Sequence, residues 1–352
     1  MSTRRKNPQS PLTFIDLFAG IGGVRTAFTR AGGKCILSSD WDKYAQITYQ
    51  LNYGEKPFGD VCEIDEVELP DFDILCGGFP CQPFSIAGVS KKNSLGKKHG
   101  FEDEKQGNLF FEIIRILKYK QPKVIFLENV KNLKSHDKGN TWRIVKANLE
   151  QLGYVLFDKV IDAKYYVPQH RERVFIVGFH KNHFPNINFE FPEYPKRRLI
   201  ELSDVLDKNP DPQFTLSNHL WNYLQDRKKK QKEKGNGFGF GLIDPDIDEY
   251  TRTLSARYHK DGSEILIAQR GNNPRRLSPK ECSRLMGFPD DFIIQVSNTQ
   301  AYRQFGNSVV IPVIQAIADK IFETISEYKL GGNRKVLVFQ EDLFTEYLFD
   351  HV

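Results

Sequence analysis

From Thr13 to about residue 181, short apolar runs alternate with longer amphipathic ones, and few folds accommodate that rhythm. The stretches "TFIDLFAG", "KCILSSD", "FDILCGG" and "KVIFLENV" read as strands. Between them, "VRTAFTRAG" and "LFFEIIRILKYKQP" read as helices, the second with apolar residues at helical spacing and a stop at Pro122. Successive units of this kind predict an α/β fold built on a doubly wound parallel sheet. The pattern continues through "TWRIVKANLEQLGY", "VLFDKVIDAKYYV" and "RVFIVGFH". Ligands of such sheets gather beyond the carboxyl ends of the strands, so polar residues ending apolar runs are the places to look for chemistry.

The rhythm breaks after "HFPNINFEFPEYPKRRL". This predicts a first domain over 13–185, a second, smaller and irregular one over 186–297, and a return segment over 298–328 that rejoins the first through the amphipathic "SVVIPVIQAIADKIFETISEYK". The tail over 329–352 has no evident role. Within 186–297, "DRKKKQKEKGNGFGFG" and "RTLSARYHKDGSEILIAQRGNNPRRL" mix Arg, Lys, Gly and Tyr at a density that suits a surface tracking phosphates and base edges, although a charge run is also simply a solvated face.

A net charge of +5 permits a polyanionic partner without requiring one. The five cysteines (Cys35, Cys62, Cys76, Cys81, Cys282) are scattered, with no C-x-x-C pair and no nearby His at ligand spacing. Disulfides and bound metal are therefore not expected, and a reducing cytoplasm is. No apolar stretch reaches membrane-spanning length, and "MSTRRKNPQSPL" lacks a hydrophobic signal core.

Four constellations carry chemistry. In "FIDLFAGIGG", Gly20, Gly22 and Gly23 let backbone pass close to a ligand, with a spacing that departs from the dinucleotide fingerprint and suits a smaller nucleoside. Asp40, about 20 residues on, is placed for a ribose diol, Trp41 for stacking on an adenine and Asp60 for its amino group. In "ILCGGFPCQPFSIAG", Pro80 and Pro83 stiffen the loop around Cys81, so presenting the thiol costs little ordering entropy. Glu128 ends the apolar run "FLENV", where partial desolvation would raise its pKa enough for it to donate a proton. Arg171 and Arg173 in "PQHRERVFIVG" fall two apart on an incoming strand, able to clamp an anion or hold Glu128.

Taken in order, "DLFAGIGG", "GGFPCQPFSIAG", "FLENV", "QHRERVFIVG" and "QFGNSVVIPV" resemble the DNA (cytosine-5)-methyltransferase family over roughly residues 13–325. The resemblance implies a Rossmann-like fold that uses S-adenosylmethionine, with Cys81 as nucleophile, Glu128 as acid, and Arg171 and Arg173 completing the catalytic group. His170 stands where many members carry arginine. It further implies a cofactor pocket that adds Phe18, Asn307 and Ser308 to the residues above, and DNA contacts from Gln82 and Ser85. The irregular stretch would be the target-recognition domain of a Dcm-type methylase of short palindromes rich in C and G, in a monomer that protects DNA from a companion restriction endonuclease. There Arg252, Arg257, Lys260 and Arg270 are candidates for phosphate or guanine contacts. A tRNA cytosine-5 methylase of the same architecture and a catalytically silent nucleic-acid-binding module are the competing readings.

Overall fold

The computed structural model describes residues 10–79, 109–235 and 239–346, with side chains as far as Leu330. Its centre is a sheet of β1 (Thr13–Leu17), β2 (Lys34–Ser39), β3 (Ile74–Gly78), β4 (Val124–Val130), β5 (Tyr154–Asp162) and β6 (Glu172–His180), in the order β2-β1-β3-β4-β6-β5. The first four strands are mutually parallel, as predicted. β6 departs from the prediction: it runs antiparallel to both β4 and β5. Only residues 163–171 connect β5 to β6, and so short a link joins antiparallel neighbours, whereas a parallel pair needs a longer crossover.

Alternation along β1 shows how the sheet acquires two covered faces. Ile15 and Leu17 pack with Leu75, Leu127 and the helices Leu109–Lys120 and Asn140–Gln151, through Ile113, Ile116, Val145 and Leu149. Phe14, on the opposite face, packs with Phe28 of the helix Gly23–Arg30, Phe126, and Ile314, Ile317 and Ile321 of the long last helix, Ile311–Glu346. Each such side chain contributes about 1.5–3 kcal/mol when fully buried. The last helix is therefore integral to the sheet's core despite lying more than 100 residues beyond β6 in the chain.

The intervening region has far less regular structure. A three-stranded sheet of β7 (Leu242–Ile243), β8 (Leu266–Gln269) and β9 (Asn272–Arg276) is backed by the helix Asn218–Glu233, with a small apolar cluster of Leu216, Leu224 and Leu266. Beside it, the helix Pro279–Leu285 begins with a capping box in which the Ser278 and Glu281 side chains satisfy each other's backbone N–H groups. Glu281 is fully buried and pairs with Arg275 at 2.7 Å, so its charge is matched where water cannot reach it.

Candidate active site

The site is assembled from the carboxyl end of β4 and the start of β6. Antiparallel pairing sets Val130 opposite Arg173 and Glu128 opposite Phe175, bringing an acid and a base from distant sequence to one edge. Arg173 Nε lies 3.1 Å from Glu128 Oε1. Burial raises the Glu128 pKa, while Arg173, Arg171 and the Arg173 hydrogen bond oppose it; the balance leaves it above the usual carboxylate value. A would-be Cβ on Gly78 would sit 3.4 Å from Glu128 Oε2, so the β3 end comes close to the acid. Next to Glu128, the buried Asn129 donates from Nδ2 to the Phe79 carbonyl at 2.8 Å. That bond ties β4 to the residue where the segment leading to Cys81 begins. Cys81, Gln82 and Ser85 lie outside the described residues.

The two arginines divide. Arg173 faces Glu128, whereas Arg171 is 4% exposed and aims its guanidinium at backbone carbonyls: Nη1 donates to Leu254 O at 2.7 Å, and Nη2 to Gly306 O and Ser308 O at 3.2 and 2.6 Å. Burial, then repulsion from Arg173, pushes the Arg171 pKa down to about 9. His170 places Nδ1 2.7 Å from Asp162 Oδ2.

The glycine turn beyond β1 forms the second half of the site. Phe18, Gly20 and Gly22 all have left-handed backbone, with φ of 61°, 55° and 85°. At Gly22 a Cβ would meet the Tyr53 ring at 2.3 Å, so both conformation and space demand glycine there. Gly20 faces open space, with no atom within 4 Å of a would-be Cβ. The Gly20 N–H donates to Asp40 Oδ2 at 2.7 Å and the Asp42 N–H to Asp40 Oδ1 at 2.8 Å, which spans the gap from the turn to the end of β2. Burial raises the Asp40 pKa despite both bonds. Trp41 beside it is 71% exposed among the described residues. Asp60 Oδ1 accepts from the Cys62 N–H at 3.0 Å and caps a short turn. From the other side, Ser308 Oγ would be 3.1 Å from a Cβ on Gly23, so the turn before the last helix abuts the glycine loop; Asn307 is exposed beside it. An open-faced turn, a carboxylate at the second strand's end and an exposed indole ring fit a nucleoside-bearing cofactor.

Beneath this turn lies Asp16, the first residue of "DLFAGIGG", to which the sequence pattern assigns no role. It is fully buried. Burial lifts its pKa to about 8, with Asp40 adding to the rise and the Arg25 amide and side-chain charge opposing it. Asn129 and Gln169 are likewise absent from the residues expected at the site; the signal that could have found them is adjacency to Glu128 and His170 within the motifs. Gln169, fully buried, accepts from the Leu254 N–H at 2.9 Å.

The candidate DNA-facing side chains are spread out. Arg257 and Lys260 are exposed on and just after the turn Ala256–His259. Arg252 donates to Gly239 O at 3.3 Å, and Arg270, at the tip between β8 and β9, pairs with Asp246 at 2.8 Å. In the basic run, Arg227 lies 3.5 Å from Asp261 and Lys228 lies over the Phe240 ring at 4.3 Å. Among the described residues, no group of three or more His, Cys, Asp or Glu side chains could hold a metal ion, and no helix is long and apolar enough to cross a membrane.

Comparison with known proteins supplies the context for this geometry. The family model described as C-5 cytosine-specific DNA methylase matches residues 12–323. The chain is 51% identical over 322 residues to the type II methyltransferase M.SsoII of Shigella sonnei, covering 91% of this chain and 82% of that one. It is 44% identical to the DNA-cytosine methyltransferase of Escherichia coli, covering 89% and 78%. Among solved structures, the Dnmt2 methyltransferase of S. pombe superposes with a TM-score of 0.69 over 89% of this chain and 98% of its own, at 18% identity, a likeness of fold alone.

Proposed function

The chain belongs to the C-5 cytosine-specific DNA methylase family, and from that premise we propose that the described geometry methylates C5 of a flipped-out cytosine, with Cys81 as nucleophile and Glu128 as acid. The single observation that carries this reading is the partly buried Glu128 carboxyl held at 3.1 Å by Arg173 at the carboxyl edge of the sheet. Cytosine C5 is a poor nucleophile until something adds to C6. The Cys81 thiolate forms the sulfur–C6 bond, ring electrons move toward C5, and the raised pKa of Glu128 leaves a proton available for N3. Arg173 then stabilises the carboxylate that remains. Once C5 has accepted the methyl group, Glu128 takes back the N3 proton, the C5 proton passes to solvent, and expulsion of the thiolate restores the ring. None of this is possible in stacked DNA, so the base must leave the helix.

S-adenosylmethionine supplies the methyl group when bound. Asp40, Trp41, Asp60 and the turn Phe18–Gly23 would hold it, with Asn307 and Ser308 closing its other side. The open face of Gly20 and the exposed Trp41 ring support that assignment. Residues 186–297 would read the target, with Arg257 and Lys260 at base edges and the run Lys228–Lys234 against phosphates. The naming of M.SsoII as a type II methyltransferase supports a place in a restriction-modification system; a cytoplasmic location and a C- and G-rich site complete the proposal. A duplex carrying 5-fluorocytosine tests the covalent step, because fluorine cannot leave as a proton does. Wild-type protein with cofactor should form a denaturant-resistant adduct and Cys81→Ser should not; an adduct with the variant would move the nucleophile elsewhere.

A further inference from the structure

The contacts of Arg171 leave its part in the reaction unexplained. A guanidinium that served the flipped base or Glu128 alone would spend its donors there, yet the described Arg171 hydrogen bonds end on three main-chain carbonyls. Two of these, Gly306 and Ser308, flank Asn307 at the junction between the helix Asn298–Asn307 and the last helix. The third, Leu254, lies two residues before the turn Ala256–His259 that carries Arg257.

The Leu254 peptide groups are held from both ends. Its N–H donates to Gln169 Oε1 at 2.9 Å, and its carbonyl accepts from Arg171, two residues further along the same segment. The preceding residues are tied to that segment as well: Thr251 N–H donates to Pro168 O, His170 N–H to Thr251 O, and Thr253 Oγ1 to His170 O at 2.6 Å. On the far side, a Cβ on Gly306 would lie 2.3 Å from the Ser255 carbonyl carbon and oxygen. The run Leu254–Ala256 is thus wedged between the start of β6 and the end of the helix Asn298–Asn307. Ser255, in the wedge, then caps the turn by accepting from the Arg257 N–H at 3.1 Å. The position of the exposed Arg257 and Lys260 relative to the Glu128–Arg173 pair is therefore set by this wedge, in which the buried Arg171 side chain joins Leu254 to the end of the helix Asn298–Asn307.

We propose that Arg171 is a positioning residue that fixes the register of the reading turn against the catalytic edge, so that it sets target discrimination, while Arg173 serves the chemistry. The inference rests on the reading of residues 186–297 as the target-recognition region. Side chains that read base edges must be held to within about 0.5 Å to keep their hydrogen bonds, so loosening the wedge blurs the choice of sequence.

The test compares variants by mapping 5-methylcytosine across a library of random duplexes, together with single-turnover rates on the best wild-type site. Arg173→Lys should slow methylation by a similar factor at every site and leave the pattern of preferred sites as in wild type. Arg171→Lys keeps the charge but replaces a fork with a point donor. It should raise sites differing by one base pair relative to the best site by about tenfold, within the span that a single mismatch normally costs. A uniform slowing with an unchanged pattern would overturn the proposal, because Arg171 would then act as Arg173 does. Should Arg171→Lys fail to fold, Thr253→Val removes a single bond to the same segment and must broaden the pattern in the same direction; an unchanged pattern overturns the proposal. Absence of any 5-methylcytosine from wild-type protein would instead defeat the underlying assignment, and the inference with it.

Discussion

The sheet edge that holds Glu128 and the region that follows residue 186 share one apolar core but differ in how far polar clamps add to it. Around Glu128, position is set by burial: Leu127, Phe126 and Ile176 are inaccessible to solvent, and the strand register leaves the acid no freedom to slide. In the later region the strands are two to five residues long and only Leu216, Leu224 and Leu266 cluster by themselves; Leu254, Tyr258, Ile265 and Met286 belong to the same core as Phe14, and polar clamps add to that burial: Arg275 on Glu281, Arg284 on Asp207, and Arg171 and Gln169 on Leu254. An apolar core tolerates many sequences but fixes one geometry. A region whose surface also relies on individual bonds can change that surface by exchanging a few side chains, provided the clamps survive.

The largest expected effect falls on the sheet side. Glu128→Gln should reduce methyl transfer by about 10²–10⁴ because the proton donor is lost, while cofactor affinity and the set of methylated sites persist. Steady-state kinetics with sequencing of the product separates the two; a changed set of sites would place Glu128 in recognition. Stability should divide along the same line. Leu127→Ala, beneath the acid, should cost near the upper end of the usual range of about 2–5 kcal/mol, and Leu266→Ala in the small cluster nearer the lower end, by denaturant unfolding. Equal costs would mean that the second region has as deep a core as the first.

Asp16 gives a pH test of the cofactor side. Its folded pKa of about 8 exceeds the ordinary value of 3.8, so between these pH values the folded state binds a proton that the unfolded state has released. Its contribution is therefore fully present below about pH 4 and lost as pH rises toward 8, with a slope of about 1.4 kcal/mol per pH unit. Asp16→Asn should flatten the decline in stability over this range; an unchanged slope would mean that Asp16 is not protonated in the fold. The smallest effect belongs to the basic helix. Replacing Lys229, Lys230 and Lys232 with glutamine should weaken binding to every duplex alike and reduce the salt slope by about 0.9 for each phosphate that is no longer neutralised. A shift in preferred sequence would instead make that helix a reader.

These contrasts also explain what is visible in the chain alone. β1–β4 and their helices are legible because burial on two faces writes itself as apolar periodicity, and Glu128 and Asp40 because they end such runs. The antiparallel course of β6 is not legible, since its own apolar run looks the same in either direction and only the short 163–171 link decides. The different contacts of Arg171 and Arg173 are hidden for a similar reason: spacing two apart puts both on one side of a strand, but only the arrival of Leu254, Gly306 and Ser308 from far along the chain gives one of them carbonyl partners. Asp16 reads as one polar residue in a strand, and nothing local reveals that its carboxyl is fully buried.

The central claim, covalent methylation of a DNA cytosine at C5, is tested most directly by the identity of the modified nucleoside. Wild-type protein, labelled S-adenosylmethionine and either duplex DNA or tRNA are incubated, the nucleic acid is digested and the labelled nucleoside is identified. Label is expected in 5-methyldeoxycytidine from the duplex, lost in both Cys81→Ser and Glu128→Gln although each still binds cofactor. Label in an exocyclic N-methylated base, in tRNA alone, or retained undiminished in either variant would contradict that claim.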